Sequence, residues 1–185
     1  MRSTFRRVVA TATLTAAVAA LASTGGTSAA TAGSPPAAGT GGSPADRRDL
    51  ASARAASAQF HNVDKAIAAG YLADELCVES PAGVMGYHYV KPALFGSTDP
   101  RQPAGLLYVD KPNGGKRLVG VEFIVPDADQ NLATDSDRPS LFGVAFDGPM
   151  PGHFPGMPVH YDQHVWLWDK NPAGMFAVWN SSLSC

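Results

Sequence analysis

The chain has 185 residues, 14 lysines and arginines against 16 aspartates and glutamates, and a formal net charge of −2. Its basic residues are scattered and form no basic face, which argues against nucleic acid or an anionic membrane surface as a partner. No segment is long and apolar enough to be read as a membrane span.

The N-terminus reads as an export signal. Arg2, Arg6 and Arg7 precede an apolar run, Val8 to Ala22, that is too short and alanine-rich for a stable span. An A-x-A pattern at Ala30 to Ala32 sets the expected cleavage, with Ser28 to Ala30 as a nearby alternative, so residues 1–32 are assigned to a signal peptide. The Arg6-Arg7 pair leaves the twin-arginine route open beside the general one. Residues 33–44, GSPPAAGTGGSP, contain no large apolar side chain and read as a flexible linker. Residues 45–185, about 140 in number, are the size of one domain. A secreted or extracytoplasmic protein is therefore expected. In that setting Cys77 and Cys185 should form a disulfide, which the chain-entropy relation values at about 4–5 kcal/mol for so long a loop.

Apolar residues at Ala53, Ala56, Phe60, Val63, Ile67 and Tyr71 recur at helical spacing, predicting one helix from Asp46 to about Ala69 with Gly70 at its end. Phe60, Val63 and Ile67 should face inward, leaving His61 at the rim. A loop carrying Cys77 leads to a predicted strand, GVMGYHYV (83–90), in which Gly86, His88 and Val90 share a face and Gly86 leaves room for a close approach. Gly105 to Val109 and Arg117 to Val125 read as a hairpin around Lys111 to Gly115. Its second arm, RLVGVEFIV, places Glu122 in an otherwise apolar strand, where an unpaired buried carboxylate is expensive. The acidic stretch from Pro126 to Pro139 reads as an exposed loop, lacking the spacing of a calcium site. Ser140 to Phe146 forms a short strand or turn.

Three of the five histidines and two of the five methionines fall between Asp147 and Trp168. Val159 to Trp168 is predicted to be a long strand, with His160, Asp162, His164, Trp166 and Trp168 on one face. At ~3.4 Å per residue the His160 and His164 backbones stand roughly 13 to 14 Å apart, so a flat strand offers one or the other to a given site; a bent segment would offer both. The final segment should pack Met175, Phe176, Val178 and Trp179.

The stretches FHNVDKAIAAGY, GVMGYHYV, RLVGVEFIV and GHFPGMPVHYDQHVWLWDKNPAGMFAVWN, with the terminal cysteine, resemble a family of uncharacterised exported bacterial proteins. The likeness covers nearly all of the mature domain and implies no established activity, cofactor or catalytic residue.

The expected fold is α+β: an N-terminal amphipathic helix packed on an antiparallel, partly barrel-like β-sheet, with one disulfide. The leading functional expectation is a divalent transition metal, zinc or copper, bound by His88, Glu122 and His160 or His164, since imidazoles with a carboxylate are such an ion's donor set. Met150, His153 and Met157 add a soft-metal accessory set. Two other readings stand beside it: a metal-dependent hydrolase or cupin-like oxygenase using the same donors, and a metal-free module binding a small molecule or protein through a tryptophan-lined face. The alternative role for Glu122 is pairing with a lysine or arginine such as Arg117, and for His160 and His164 a solvent-facing position or bonds to Asp162 and nearby carbonyls.

Overall fold

The computed structural model describes residues 42–185. The expected signal peptide, residues 1–32, and the linker as far as residue 41 lie outside the described residues. The linker's last two residues, Ser43 and Pro44, cap and begin the first helix, α1 (Pro44–Ser57). Ser43 and Asp46 form a reciprocal capping box, in which the serine hydroxyl accepts from the Asp46 N–H and the Asp46 carboxylate from the Ser43 N–H.

The single helix expected from the apolar spacing is interrupted. α1 tightens into a 3-10 turn (Ala58–His61), and a second short helix, α2 (Val63–Ala68), starts afresh at Asn62, whose side chain accepts from the Asp64 N–H at 3.0 Å. The break rotates the apolar stripe. Phe60 and Ala66 are buried, Val63 is half-buried, and Ile67, expected inside, is exposed.

Eight strands follow: β1 (Leu72–Ser80), β2 (Gly83–Val90), β3 (Gly105–Asp110), β4 (Lys116–Pro126), β5 (Ser140–Leu141), β6 (Val144–Ala145), β7 (Asp147–Met150) and β8 (His160–Val165). Six of them form one antiparallel half-barrel sheet in the order β1-β2-β3-β4-β8-β7, and β5 and β6 form a small hairpin of their own. The loop expected around Cys77 is the edge strand β1, bulged between Ala73 and Cys77. Its polar, exposed residues look like loop because an edge strand has a neighbour on one side only.

The helices cover one face of the sheet, packing Ala53, Phe60 and Ala66 against Tyr89, Leu106, Tyr108, Val121, Phe123, Tyr161 and Val165. Fully burying each large apolar side chain there contributes about 1.5–3 kcal/mol. Tyr108 also donates its hydroxyl to the Phe60 carbonyl at 2.6 Å, tying sheet to helix turn. Trp168, expected on the histidine face, lies beyond the end of β8 on this helical side. Its ring stands 4.3 Å from that of His61 and 4.5 Å from the Arg54 guanidinium, and its indole N–H donates to Ser57.

The opposite face carries a smaller apolar cluster of Val84, Leu107, Val109, Val119 and Trp166, with Cys77 and Leu183 against it. The Cys77–Cys185 disulfide and a bridge between Val84 and Asn180 pin the C-terminal segment there. Phe176 in that segment packs as expected, stacked 6.0 Å from Phe142, whereas Met175 is exposed. The acidic loop is less open than its composition suggests. Asp127 is buried, accepting from the Asn131 N–H, and Asp137 accepts from Tyr161 of β8.

Candidate metal centre

Across the sheet, residues that face one another in register share a face. Val90 of β2 opposes Gly105 of β3, Gly105 opposes Glu122 of β4, and Glu122 opposes His164 of β8. This row lies on the face away from the helices. A Cβ on Gly105 would stand 2.6 Å from Glu122 Oε2 and 2.9 Å from the Glu122 Cβ, so the glycine provides the space that the carboxyl occupies. His88, two residues before Val90 on the same face, is brought toward His164 by the curl of the sheet, with ring centroids 6.0 Å apart. Gly86, on the strand of His88, serves packing instead: a Cβ there would meet the Tyr108 carbonyl oxygen at 2.3 Å. The close approach that its sequence position suggested is made by the neighbouring strand.

His88, Glu122 and His164 each present a donor atom within 4.8 Å of the other two. His160 and His164 lie on one face of β8, whose pairing with β4 has no bulge, and fall in different donor groups. His160 instead joins His153 and Asp162 in a second group, again with donors within 4.8 Å of one another. Of the four donors expected from sequence, three converge and the fourth belongs with His153. Asp162 is the member that sequence reasoning placed on the right face without making it a ligand; its signal was the strict alternation His160, Asp162, His164. Met150 opposes His160 across β7 and β8, and the Met157 sulfur accepts from the His153 N–H at 3.4 Å, so both methionines border this outer group.

Glu122, Asp162, His160 and His164 are all at least 98 % buried. Five of their side-chain atoms, Glu122 Oε2, Asp162 Oδ1, His160 Nε2 and both ring nitrogens of His164, have no hydrogen-bond partner in the protein. His164 Nε2 is 3.8 Å from Glu122 Oε1, and His164 Nδ1 is 3.8 Å from Asp162 Oδ1, both too long for hydrogen bonds. Each atom left without a partner costs about 1–3 kcal/mol, a large share of the net stability of a domain, about 5–15 kcal/mol. The salt bridge that would have explained Glu122 is absent: Arg117 pairs with Asp169.

Burial sets the protonation of the group. It pushes Glu122 well above the usual carboxylate range, assisted by the Asp162 charge, and raises Asp162 to about 6. Glu122 therefore holds the proton and can donate it to Asp162, which satisfies part of the carboxyl pair and leaves the two His164 ring nitrogens and His160 Nε2 as the atoms without a partner. Burial likewise lowers His164 to about 4, and burial with the neighbouring His164 and His153 lowers His88 to about 3. Both imidazoles are neutral near pH 7, which is the form that binds metal.

The donor set fits a borderline divalent ion. Tetrahedral zinc with N and O ligands at about 2.0–2.1 Å holds its donors roughly 3.3–3.4 Å apart. The 3.8 Å gap between His164 Nε2 and Glu122 Oε1 closes to that with a shift of a few tenths of an ångström. A surface cavity of about 330 Å3 lies elsewhere, lined by Phe60, Tyr71, Lys91, Leu94 and Arg101. The two tryptophans expected to wall a binding face are separated, Trp166 packed in the smaller apolar cluster with its N–H on the Ala177 carbonyl and Trp168 against the helix. No helix among the described residues is long and apolar enough to cross a membrane. No family model, curated protein or solved structure matches the chain.

Proposed function

We propose that this is an exported member of the family its motifs resemble, and that it binds a divalent transition metal, zinc or copper, through His88, Glu122 and His164. The observation that carries the reading is the convergence of three donors from three strands, the half-buried His88 and the buried Glu122 and His164, with unpartnered nitrogen and oxygen atoms of the last two on one face of the sheet. An ion there would supply the positive charge that the Glu122 carboxylate lacks and turn the unpartnered atoms of His164 and Glu122 into ligands. Asp162, 3.8 Å from His164 Nδ1, would then accept from that nitrogen and fix the ring, the usual carboxylate support behind a metal-bound histidine. The leader and the disulfide support export. The burial of the donors favours holding an ion over turning over a substrate, which sets the metal-dependent enzyme behind simple binding.

Elemental analysis of untagged protein, followed by calorimetric titration of the metal-stripped chain with zinc and copper, tests the reading. One tightly held ion per chain, lost in the His88→Ala, His164→Ala double variant, is expected. A wild-type chain that takes up no stoichiometric metal, or a double variant that binds it unchanged, removes the assignment.

A further inference from the structure

The segment between β7 and β8 carries the exposed His153, whose ring stands 4.8 Å from that of the buried His160. His160 Nδ1 lies 3.2 Å from the Pro158 carbonyl oxygen. A carbonyl can only accept, so this contact places the imidazole hydrogen on Nδ1 and leaves a lone pair on Nε2. That Nε2 is buried and has no protein partner. Two residues further along the same face, Asp162 Oδ1 is also buried and unpartnered. Two imidazoles and a carboxylate, all within 4.8 Å of one another, repeat the donor chemistry of the inner group. The two groups differ in access: the outer group carries the exposed His153, whereas in the inner group His88 is half-buried and Glu122 and His164 are buried.

We infer that His153, His160 and Asp162 form a second site for a divalent transition cation, and that ions reach His88, Glu122 and His164 through it. The passage rests on the proposed function of the inner group. Asp162 is the link. It belongs to the outer group, and its Oδ1 is 3.8 Å from His164 Nδ1, so a single carboxylate lies beside both. Along β8 it stands between the two histidines, each two residues away on the same face. An ion leaving the outer imidazoles stays beside this carboxylate until the inner donors are within reach. His153 lies on a connecting segment outside the sheet, so it can deliver an ion without disturbing the strand pairing that holds the inner donors.

The test uses cobalt(II), whose absorption reports its coordination, on the untagged, metal-stripped chain. Equilibrium titration counts ions, and stopped-flow mixing follows filling of the inner site. Wild type should take two ions of unequal affinity. His153→Ala should take one and fill the inner site at least tenfold more slowly. His61→Ala removes a histidine that stacks on Trp168, outside both groups, and should behave as wild type. A His153→Ala chain that still takes two ions, or fills the inner site at the wild-type rate, overturns the inference. A wild-type chain that takes one ion, lost with His164→Ala and kept at full rate with His153→Ala, overturns it while leaving the proposed function standing. A wild-type chain that takes no ion removes both.

Discussion

Glu122→Gln distinguishes a metal site from a merely polar interior, because the amide keeps the shape of the carboxyl and removes its charge. In the metal-free chain burial and Asp162 hold the Glu122 pKa well above its unfolded value. A carboxyl raised in this way costs nothing below the unfolded pKa. Stability is then lost as pH rises toward the folded pKa, since the unfolded chain has already released its proton. The slope is at most one proton, about 1.4 kcal/mol per pH unit. The histidines act in the opposite sense. With His164 lowered to about 4 and His88 to about 3, stability is lost as pH falls below about 6.5, where unfolded imidazoles take up protons that the folded ones refuse. Asp162, raised to about 6, opposes them between its unfolded value near 3.8 and that pH.

Above about pH 7.5, a unit past the unfolded imidazole value, these imidazoles are neutral in both states and Asp162 is ionised in both. Glu122 is then the member of the inner cluster whose proton still separates folded from unfolded chain. Metal-free wild type should lose stability as pH rises above about 7.5 toward the folded pKa of Glu122, and Glu122→Gln should be flatter there by up to the one-proton slope. Metal reverses the ranking. At a free concentration of one hundred times Kd, an ion adds about 2.7 kcal/mol, or roughly 8–10 °C in the melting temperature of a domain this size. The variant should forfeit most of that rise. Thermal and urea melts in chelator and in zinc, across the same pH range, read both effects. A Glu122→Gln chain that keeps the wild-type zinc shift, or the wild-type pH slope in chelator, refutes the assignment of this carboxyl.

Four other substitutions probe the same framework. Gly105→Ala puts a methyl 2.6 Å from Glu122 Oε2, and should cost about 1–3 kcal/mol by overpacking. Its zinc affinity, measured by titration, should fall at least tenfold; an unchanged affinity would mean that the carboxyl does not bind the ion. Cys77→Ser and Cys185→Ser should each lower unfolding free energy by about 4–5 kcal/mol, because the bridge spans a sequence separation of 108. The double serine variant should lose no more than either single one, and a clearly larger loss in urea melts would show that the cysteines also stabilise separately. Gly86→Ala, at a φ of +93° and with a Cβ 2.3 Å from the Tyr108 carbonyl oxygen, should disrupt the β2–β3 pairing. Hydrogen exchange at the amides of Tyr87 and Tyr89 should quicken markedly more than at those of β8.

Much of the sheet was legible because its central strands are long and apolar. RLVGVEFIV could be neither helix nor loop, and the one carboxylate within it marked the site. The alternation in HYDQHV fixed which residues share a face, and a rise of ~3.4 Å per residue already implied that His160 and His164 serve different places. Other features lay beyond pattern. β1 is polar because it is an edge strand, and its composition resembles that of a loop. The break at Asn62 leaves the apolar spacing almost intact, and only the capping role of asparagine betrays it. Trp168 keeps the strand's alternation in sequence, but the strand ends at Val165 and the chain turns toward the helix. The partnership of His153 with His160 depends on the path of an irregular connection, which no periodicity encodes.

The division of labour along β8 follows from the sheet itself. His164 lies opposite Glu122 and within reach of β2, so its partners come from across the strands, where backbone pairing fixes their positions. His160 lies opposite Pro126 at the end of the ladder, where β4 offers no side-chain donor, and its imidazole partner has to come from the connecting segment. A donor set held by paired strands is preorganised and shielded from water, while one completed by an exposed histidine can open and close at little cost to the fold. Asp162, one alternation step from each histidine, is the point at which the rigid set and the adaptable one touch.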